Sequence, residues 1–397
     1  MKEGWKYMKL GEIVVFDKRF KGVPKEQQKQ IVSFKHVSAE TLKGLHVDNG
    51  DVKLLATGLF TGYTTQELAG NNLNSGEVIS FPTGGNANIK YHKGNFVDSG
   101  NILCVAKDDS IYLKYVHFGL LYQNDYIESC YKGTGIHHPF MPDIWDVKVP
   151  IPDISTQYSI VARLDAEFAK IEALKANAEK QLQAAKDLFQ AALKELLTPK
   201  EGWGEKKLKE LGKTQTGCTP SMSNKDYYND NYIPFVKPSE INYDGLGGIN
   251  YETQMLSKLG ANAGRVFPAK SIFMVCIGAT ISKLGYSVRD VSCNQQINVI
   301  TPNEMYDYKY IYYAMLHPHF IQKVIKEGTS AQATLPIISK GKWEVLSIKI
   351  PSLSEQQRIA ARLDALSANV KALQTNYTET ITLCNDLKQA LLKKVFE

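Results

Sequence analysis

The sequence predicts an α+β chain written twice. The order is an α+β domain, a long helix, a second α+β domain and a second long helix. Three observations predict it. A motif that opens a helix returns 199 residues after its first appearance. Each copy leads into an apolar stripe at helical period, sustained for about 40 residues. The stretches between carry strand-like runs broken by Gly, Asn and Pro.

The repeat is the firmest of these. Pro152-Asp-Ile-Ser-Thr-Gln-Tyr-Ser-Ile-Val-Ala-Arg-Leu-Asp-Ala166 returns as Pro351-Ser-Leu-Ser-Glu-Gln-Gln-Arg-Ile-Ala-Ala-Arg-Leu-Asp-Ala365, identical at nine of 15 positions. The starts of the two halves also match: Gly4-Trp5 with Gly202-Trp203, Leu10 with Leu208, Ile13 with Leu211. The boundaries follow as 1–153, 154–198, 199–350 and 351–397.

The helical stripes come next. In the first, Ile160, Leu164, Phe168, Ile171, Leu174, Ala178, Leu182, Ala185, Phe189, Ala192 and Leu196 step by three or four. In the second, Ile359, Leu363, Leu366, Val370, Leu373, Tyr377, Ile381, Cys384, Leu387, Leu391 and Val395 do the same. Neither stretch contains Gly or Pro. Ser354 with Gln357 reads as a capping box, and Ser155 as the matching N-cap with Tyr158 in the box position. Pro199 and Gly202 end the first helix. A one-sided stripe of roughly 60 Å needs a partner. The economical partner is the other helix, as an antiparallel coiled coil with a pseudo-twofold relation between the halves. The alternative is two separate helices, each recruiting another protein.

The domains between them read as α+β. Strand character is clear at Gly76-Glu-Val-Ile-Ser-Phe81, Asn101-Ile-Leu-Cys-Val-Ala106 and Ser271-Ile-Phe-Met-Val-Cys-Ile277, with short helices at 112–122 and 308–316. Shared ends with divergent middles suggest one frame holding two different reading heads.

Composition limits the function classes. The 397 residues are 43% hydrophobic and 22% charged, which are globular values. The six cysteines form no C-x-x-C pair, which argues against a zinc ribbon and a disulfide scaffold and fits a reducing cytoplasm. No run reaches the roughly 18 apolar residues of a membrane span, and the N-terminus lacks a signal-peptide core. Net charge is +6. Residues 1–153 are neutral, with 17 basic and 17 acidic groups, while residues 201–350 carry 17 basic and 13 acidic groups. That permits nucleic-acid binding without establishing it.

Catalytic motifs are missing. No Walker loop occurs, since Gly341-Lys342 is followed by Trp343, and Gly245-Leu-Gly247-Gly248 stops short of a dinucleotide fingerprint. There is no Pro-Pro pair, hence no amino-methyltransferase motif, and no G-x-S-x-G or H-E-x-x-H. Pro152-Asp153 reads as a helix start rather than a nuclease motif. His137-His138 and His317-Pro-His319 lack the spacing and accompanying ligands of a metal site.

The loops instead offer base-edge and phosphate chemistry. Thr83-Gly-Gly-Asn-Ala-Asn-Ile-Lys90 follows a strand, as Gly278-Ala-Thr-Ile-Ser-Lys283 does in the second half. A second pair is Gly133-Thr-Gly-Ile-His-His138 and Gly328-Thr-Ser-Ala-Gln-Ala-Thr334. Candidate DNA contacts are Thr83, Asn86, Asn88, Lys90, Thr134, His137 and His138 in the first domain. In the second they are Lys237, Thr280, Lys283, Asn294, Gln295, Gln296, Thr329, Ser330 and Gln332. Taken singly, each loop reads first as turn chemistry; their recurrence at matching places puts the binding reading level with it.

Ile350-Pro-Ser-Leu-Ser-Glu-Gln-Gln-Arg-Ile-Ala-Ala-Arg-Leu-Asp364, running into a long helix, resembles the conserved region of type I restriction–modification specificity subunits. So does Gly202-Trp203 leading to Leu208. The second domain resembles that family's target recognition domain at Tyr232-Ile-Pro-Phe-Val236, Gly278-Ala-Thr280, Asn294-Gln-Gln-Ile297 and Gly328-Thr329. The resemblance spans the whole chain. The first half departs in having Thr156 where Glu355 stands and in lacking the Asn-Gln-Gln-Ile run.

The resemblance implies two target recognition domains separated by spacer helices, with no activity or cofactor of the chain's own. Each domain would read one half of a bipartite, non-palindromic site in double-stranded DNA, and the helix pair would set the gap. Two copies of an adenine methyltransferase subunit would supply S-adenosylmethionine chemistry on a flipped adenine. Two restriction subunits using ATP and Mg²⁺ could join. The rival readings are a single-chain enzyme with degenerate motifs and a two-headed interaction scaffold that binds no DNA.

Overall fold

The computed structural model describes residues 4–22, 30–242, 246–329 and 335–397, and statements of absence below concern these residues. The chain divides into two compact units. The first is Met1–Ala176 with Thr380–Glu397, the second Asn177–Glu379. Each therefore takes a part of both long helices.

In the first unit, strand Lys6–Lys9 clasps Lys148–Ile151 in antiparallel register. A single turn, Leu10–Ile13, buries both its apolar ends and feeds strand Val14–Phe16 into a six-stranded sheet. The sheet order is Val14–Phe16, Ile102–Ala106, Asn74–Phe81, Lys90–Asp98, Val52–Leu55, Thr61–Thr64. Only the pairing of Val52–Leu55 with Lys90–Asp98 is parallel. Val78, Ile79 and Phe81 are all buried, so this central strand is covered on both faces. Helix Leu113–Tyr122 packs with the sheet into the main core.

The second unit repeats the frame. Strand Gly204–Lys207 clasps Ser347–Ile350. The turn Leu208–Leu211 leads into a four-stranded sheet ordered Gly212–Thr216, Ile297–Pro302, Ile272–Val275, Leu284–Tyr286. A second small sheet holds Met255–Leu256, Ile233–Val236, Val291–Cys293 and Val266–Phe267. Where the first unit has one nine-residue strand, Lys90–Asp98, the second has two, Leu284–Tyr286 and Val291–Cys293. The expected short helices form as Leu113–Tyr122 and Tyr308–Leu316.

The long helices are Ile154–Leu196 and Leu353–Phe396, of 43 and 44 residues. They run antiparallel. In the first unit Cys384 Sγ lies 3.9 Å from the Ile171 carbonyl, and Lys388 pairs with Glu172 while sitting 5.4 Å over the Phe168 ring. In the second unit Lys200, past the end of one helix, pairs at 3.6 Å with Glu355 at the start of the other. Leu164, Ile171, Leu182, Phe189, Leu363 and Val370 are buried, whereas Leu174 and Leu387 point outward. A stripe stepping by three and four is wider than the seam between two helices, so its edge residues stay in solvent.

The caps correct the sequence reading. The first helical residues are Ile154 and Leu353, so the N-caps are Asp153 and Ser352 rather than Ser155 and Ser354. Asp153 accepts from the Thr156 amide at 3.0 Å and from the Ser155 and Thr156 hydroxyls, which hold its carboxyl far below the usual range. Ser352 Oγ accepts from the Glu355 amide at 3.4 Å. The residue after each proline is the last extended one, which makes it the cap.

Each helix is keyed to its own domain by the same side chains. Gln157 is fully buried; it accepts from the Tyr112 amide at 2.8 Å and donates to the Pro152 carbonyl at 3.0 Å. Gln356 accepts from the Asp307 amide at 3.0 Å and donates to the Pro351 carbonyl at 2.9 Å. Lys114 pairs with Asp165 at 2.6 Å, and Lys309 with Asp364 at 2.5 Å. Tyr115 and Tyr310 each donate at 2.6 Å to a clasp carbonyl, of Pro150 and Lys349 respectively. The Gln, and the Asp with its two neighbours, are among the nine repeated identities, which gives the repeat a structural cause.

Candidate nucleic-acid interface

In both units the loop after the central strand is tied to the loop before the clasp. Gly85 has φ +89° and donates its amide to the His137 carbonyl at 2.8 Å. Gly278 has φ +86° and donates to the Pro336 carbonyl at 2.9 Å. That left-handed backbone is strained for a residue with a Cβ, so glycine at both places is a conformational requirement. In the first unit the two loops that the sequence offered separately thus form one platform; in the second unit Gly278 is tied to Pro336, and residues 330–334 of the other loop lie outside the described residues.

The first platform carries Thr83, Asn86, Asn88, Thr134, His137 and His138. The His138 ring lies 2.7 Å from the Thr83 carbonyl, and Thr83 donates to the Gly100 carbonyl at 3.1 Å. Ala87 donates its amide to Glu128 at 2.8 Å, and Tyr131 donates to the Pro82 carbonyl at 3.1 Å. Asn86, Thr134, His137 and His138 are exposed, while Asn88 is half-buried and donates to the Gly58 carbonyl at 3.3 Å.

The second platform brings Asn294, Gln295 and Gln296 against residues 276–278 and 337–340. Cys276 donates its amide to the Gln296 carbonyl, and Ile338 to that of Cys276, both at 2.9 Å. Asn294 Nδ2 donates to Gln296 Oε1 at 2.8 Å, and Thr219 donates to Gln295 Oε1 at 2.5 Å. A groove of about 420 Å³ opens between these segments, lined also by Thr216 and Asn298. Thr216 donates to Asn298 Oδ1 at 2.8 Å, which leaves the buried Nδ2 as the donor end of that side chain. Sequence reasoning passed over Asn298, although it stands immediately after the Asn-Gln-Gln-Ile run. Thr280 is exposed on the same loop as Gly278, and Thr329 closes helix Pro318–Gly328 by donating to the Ile325 carbonyl. Ser330 and Gln332 lie outside the described residues.

The lysines behave alike in the two units and differently from a free phosphate contact. Lys90 Nζ donates to the Ala56 and Gly58 carbonyls at 2.6 and 2.7 Å. Burial, with Lys53 nearby, lowers its pKa. Lys283 Nζ donates to the Pro238 carbonyl at 3.2 Å. Each ammonium ties its loop to a neighbouring loop. Lys237 Nζ donates to Gln254 at 3.0 Å.

Among the described residues no cluster of three or more His, Cys, Asp or Glu is placed to hold a metal. All six cysteines are free, and burial pushes the Cys276 thiol in the groove up to about 12. No described helix is long and apolar enough to cross a membrane.

Comparison with known proteins agrees with this geometry. Residues 2–184 and 200–383 each match the model of the type I restriction modification DNA specificity domain. The type I restriction enzyme HindI specificity subunit of Haemophilus influenzae is 33% identical over 150 residues, which are 37% of this chain and 32% of that protein. The EcoR124I/EcoR124II specificity subunit of Escherichia coli is 25% identical over 292 residues, covering 70% of this chain and 68% of that one. Among solved structures, a chain from the assembly of a type I restriction–modification system is 18% identical with a TM-score of 0.66, covering 100% of this chain and 98% of its own. The specificity subunit of M. genitalium is 15% identical with a TM-score of 0.52, covering 99% and 96%. At those identities the structural likeness is one of fold. Two family domains over nearly the whole length, each ending in a keyed long helix, place this chain in the type I restriction–modification DNA specificity family.

Proposed function

We propose that each unit reads one half of a bipartite, non-palindromic DNA site through its glycine-tied platform. The observation that carries this reading is the recurrence of one loop architecture, Gly85 to His137 and Gly278 to Pro336, with different side chains on it. Asn, Gln, His and Thr at such a platform can address base edges. Because the two sets differ, the half-sites differ.

The antiparallel helices set the gap between half-sites and dock two methyltransferase subunits, which methylate adenine at N6. S-adenosylmethionine belongs to those partners, as do ATP and Mg²⁺ where two restriction subunits join. The modest charge is consistent with partners making many of the phosphate contacts. Contacts from Lys90 and Lys283 are indirect in this reading, since both hold loops in place.

The test is a base-resolution map of N6-methyladenine in host DNA with the gene intact and deleted. A split motif, modified on opposite strands and lost on deletion, is expected. Identical maps in cells expressing a cognate methyltransferase would refute the reading. A scaffold that binds no DNA draws its support from the neutral first domain, with its 17 basic and 17 acidic groups. Footprinting of the assembled complex separates the two, because a scaffold protects no specific sequence.

A further inference from the structure

We propose that the second unit carries a docking pocket for an aromatic residue followed by a carboxylate on a partner polypeptide, and that the first unit fills its own copy of that pocket with Phe396 and Glu397. The proposal does not depend on the DNA reading.

The first unit shows the filled form. The Phe396 ring stacks on Tyr122 at 5.7 Å and 16°, and lies 5.4 Å from the Tyr115 ring. It reaches over Gly119, where an added Cβ would meet the ring at 3.4 Å and Val149 at 2.9 Å. Glu397 follows, and its carboxylate accepts from the Tyr122 hydroxyl at 2.9 Å. An aromatic ring and the next residue's carboxylate are thus held by a tyrosine, a glycine and the clasp.

In the second unit the repeat supplies the same walls without the ring. The 199-residue offset puts Leu197 where Phe396 stands. Ile348 takes the place of Val149 at the same offset; in the domain helix the offset is 195, fixed by the matching pairs Lys114–Asp165 and Lys309–Asp364, so Tyr310 takes the place of Tyr115, Ala314 of Gly119 and His317 of Tyr122. The clasp registers agree, with Glu205 opposite Lys349 as Tyr7 is opposite Pro150. What results is a cavity of about 330 Å³ between Leu197, Tyr310, Ala314, His317, Phe320 and Ile348. That space takes one aromatic side chain.

The end of the first long helix does not supply a ring in the place of Phe396, and Phe320 forms a wall of the cavity. The first long helix ends at Leu196, Thr198 Oγ1 donates back to the Lys194 carbonyl, and Pro199 contributes to the cavity wall without a ring system that could replace Phe396. Trp203 packs edge-on to Tyr310 at 6.3 Å, but its repeat mate is Trp5, so it is part of the shared frame.

The rim sets the sign of the partner. Lys323, Lys349 and His319 face a single carboxylate, Glu205. Glu205 is already engaged by Ser347 and by Lys349 at 3.0 Å. The remaining charge is positive, which suits a carboxylate beside the ring, as Glu397 stands beside Phe396.

The experiment uses the full chain with labelled Leu and Ile methyl groups and reads the Leu197 and Ile348 signals. Three probes are titrated: N-acetyl-Leu-Phe-Glu, N-acetyl-Leu-Ala-Glu and phenylpropionate. The expected result is a saturable shift with the Phe peptide, with the other two probes about tenfold weaker or more. Ala314→Phe should abolish binding by filling the cavity. Lys323→Glu, a rim change that leaves the core alone, should weaken it about fivefold while helix content stays constant. Equal shifts from both peptides, no saturation, or an unaffected Lys323→Glu variant would overturn the proposal. Phenylpropionate binding as tightly as the peptide would also overturn it, by making the ligand a small aromatic acid.

Discussion

The two units share a frame and differ in what they mount on it. Both clasp their ends with a two-stranded ribbon, both lock the helix with a buried Gln, and both pair a helix Asp with a domain Lys. Away from these keys they part. Behind the first platform stands an aromatic cluster, in which Phe16 stacks on Phe20 at 4.0 Å with Phe81 and Trp145 each at 6.0 Å. The sheet registers place Met274 and Asn298 where the first unit has Phe81 and Ile102. There the indole of buried Trp343 donates to Met274 Sδ at 3.2 Å, and the groove beside Asn298 mixes amide side chains with Ile277, Ile337 and Ile338. The difference teaches that the two copies agree at the side chains joining helix to head and differ on the surface mounted there.

The largest effect should come from breaking a key. Gln356→Leu leaves the Asp307 amide and the Pro351 carbonyl buried without partners and should cost about 3 kcal/mol, read by urea unfolding. Gln157→Leu should cost a similar amount. A loss far below that in either unit would show that the repeat is not maintained by these bonds.

Next in size is the platform chemistry. Alanine at Asn294 and Gln296 should relax the half-site read by the second unit by about tenfold in methylation selectivity, with the other half-site unchanged. Equal loss at both would mean a folding defect. Gly278→Ala forces a Cβ into φ +86° with open space around it, so strain alone acts, at about 1 kcal/mol. Gly85→Ala should behave alike in its own unit, at φ +89°.

The remaining prediction concerns pH and His117 of the first unit. Burial lowers His117 to about 4. Its folded pKa is below its unfolded value near 6.5, so the unfolded chain binds the extra proton between those values. Stability from this group is present above about 6.5 and is lost as pH falls toward 4. His117→Phe should flatten that part of the unfolding profile, and an unchanged slope would assign it to other groups.

Most of the architecture was legible because helical period and repetition are written directly in sequence. The caps were misplaced by two residues, since Ser155 and Ser354 look as good as Asp153 and Ser352 until the first helical residue is known. The inward lysines were not legible. Lys90 opens a strand and Lys283 ends a loop, and their carbonyl partners, 56–58 and 238–239, are distant in sequence. Asn298 was hidden for the same reason, because its orientation depends on Thr216 from another strand.

The central claim is that each unit reads its own half-site. Residues 1–153 can be exchanged for the first recognition domain of another specificity subunit, keeping both long helices, and the modified adenines mapped at base resolution. The account predicts that one half-site changes to the donor's, while the other half-site and the gap remain. A map in which both half-sites change, or neither does, would contradict it.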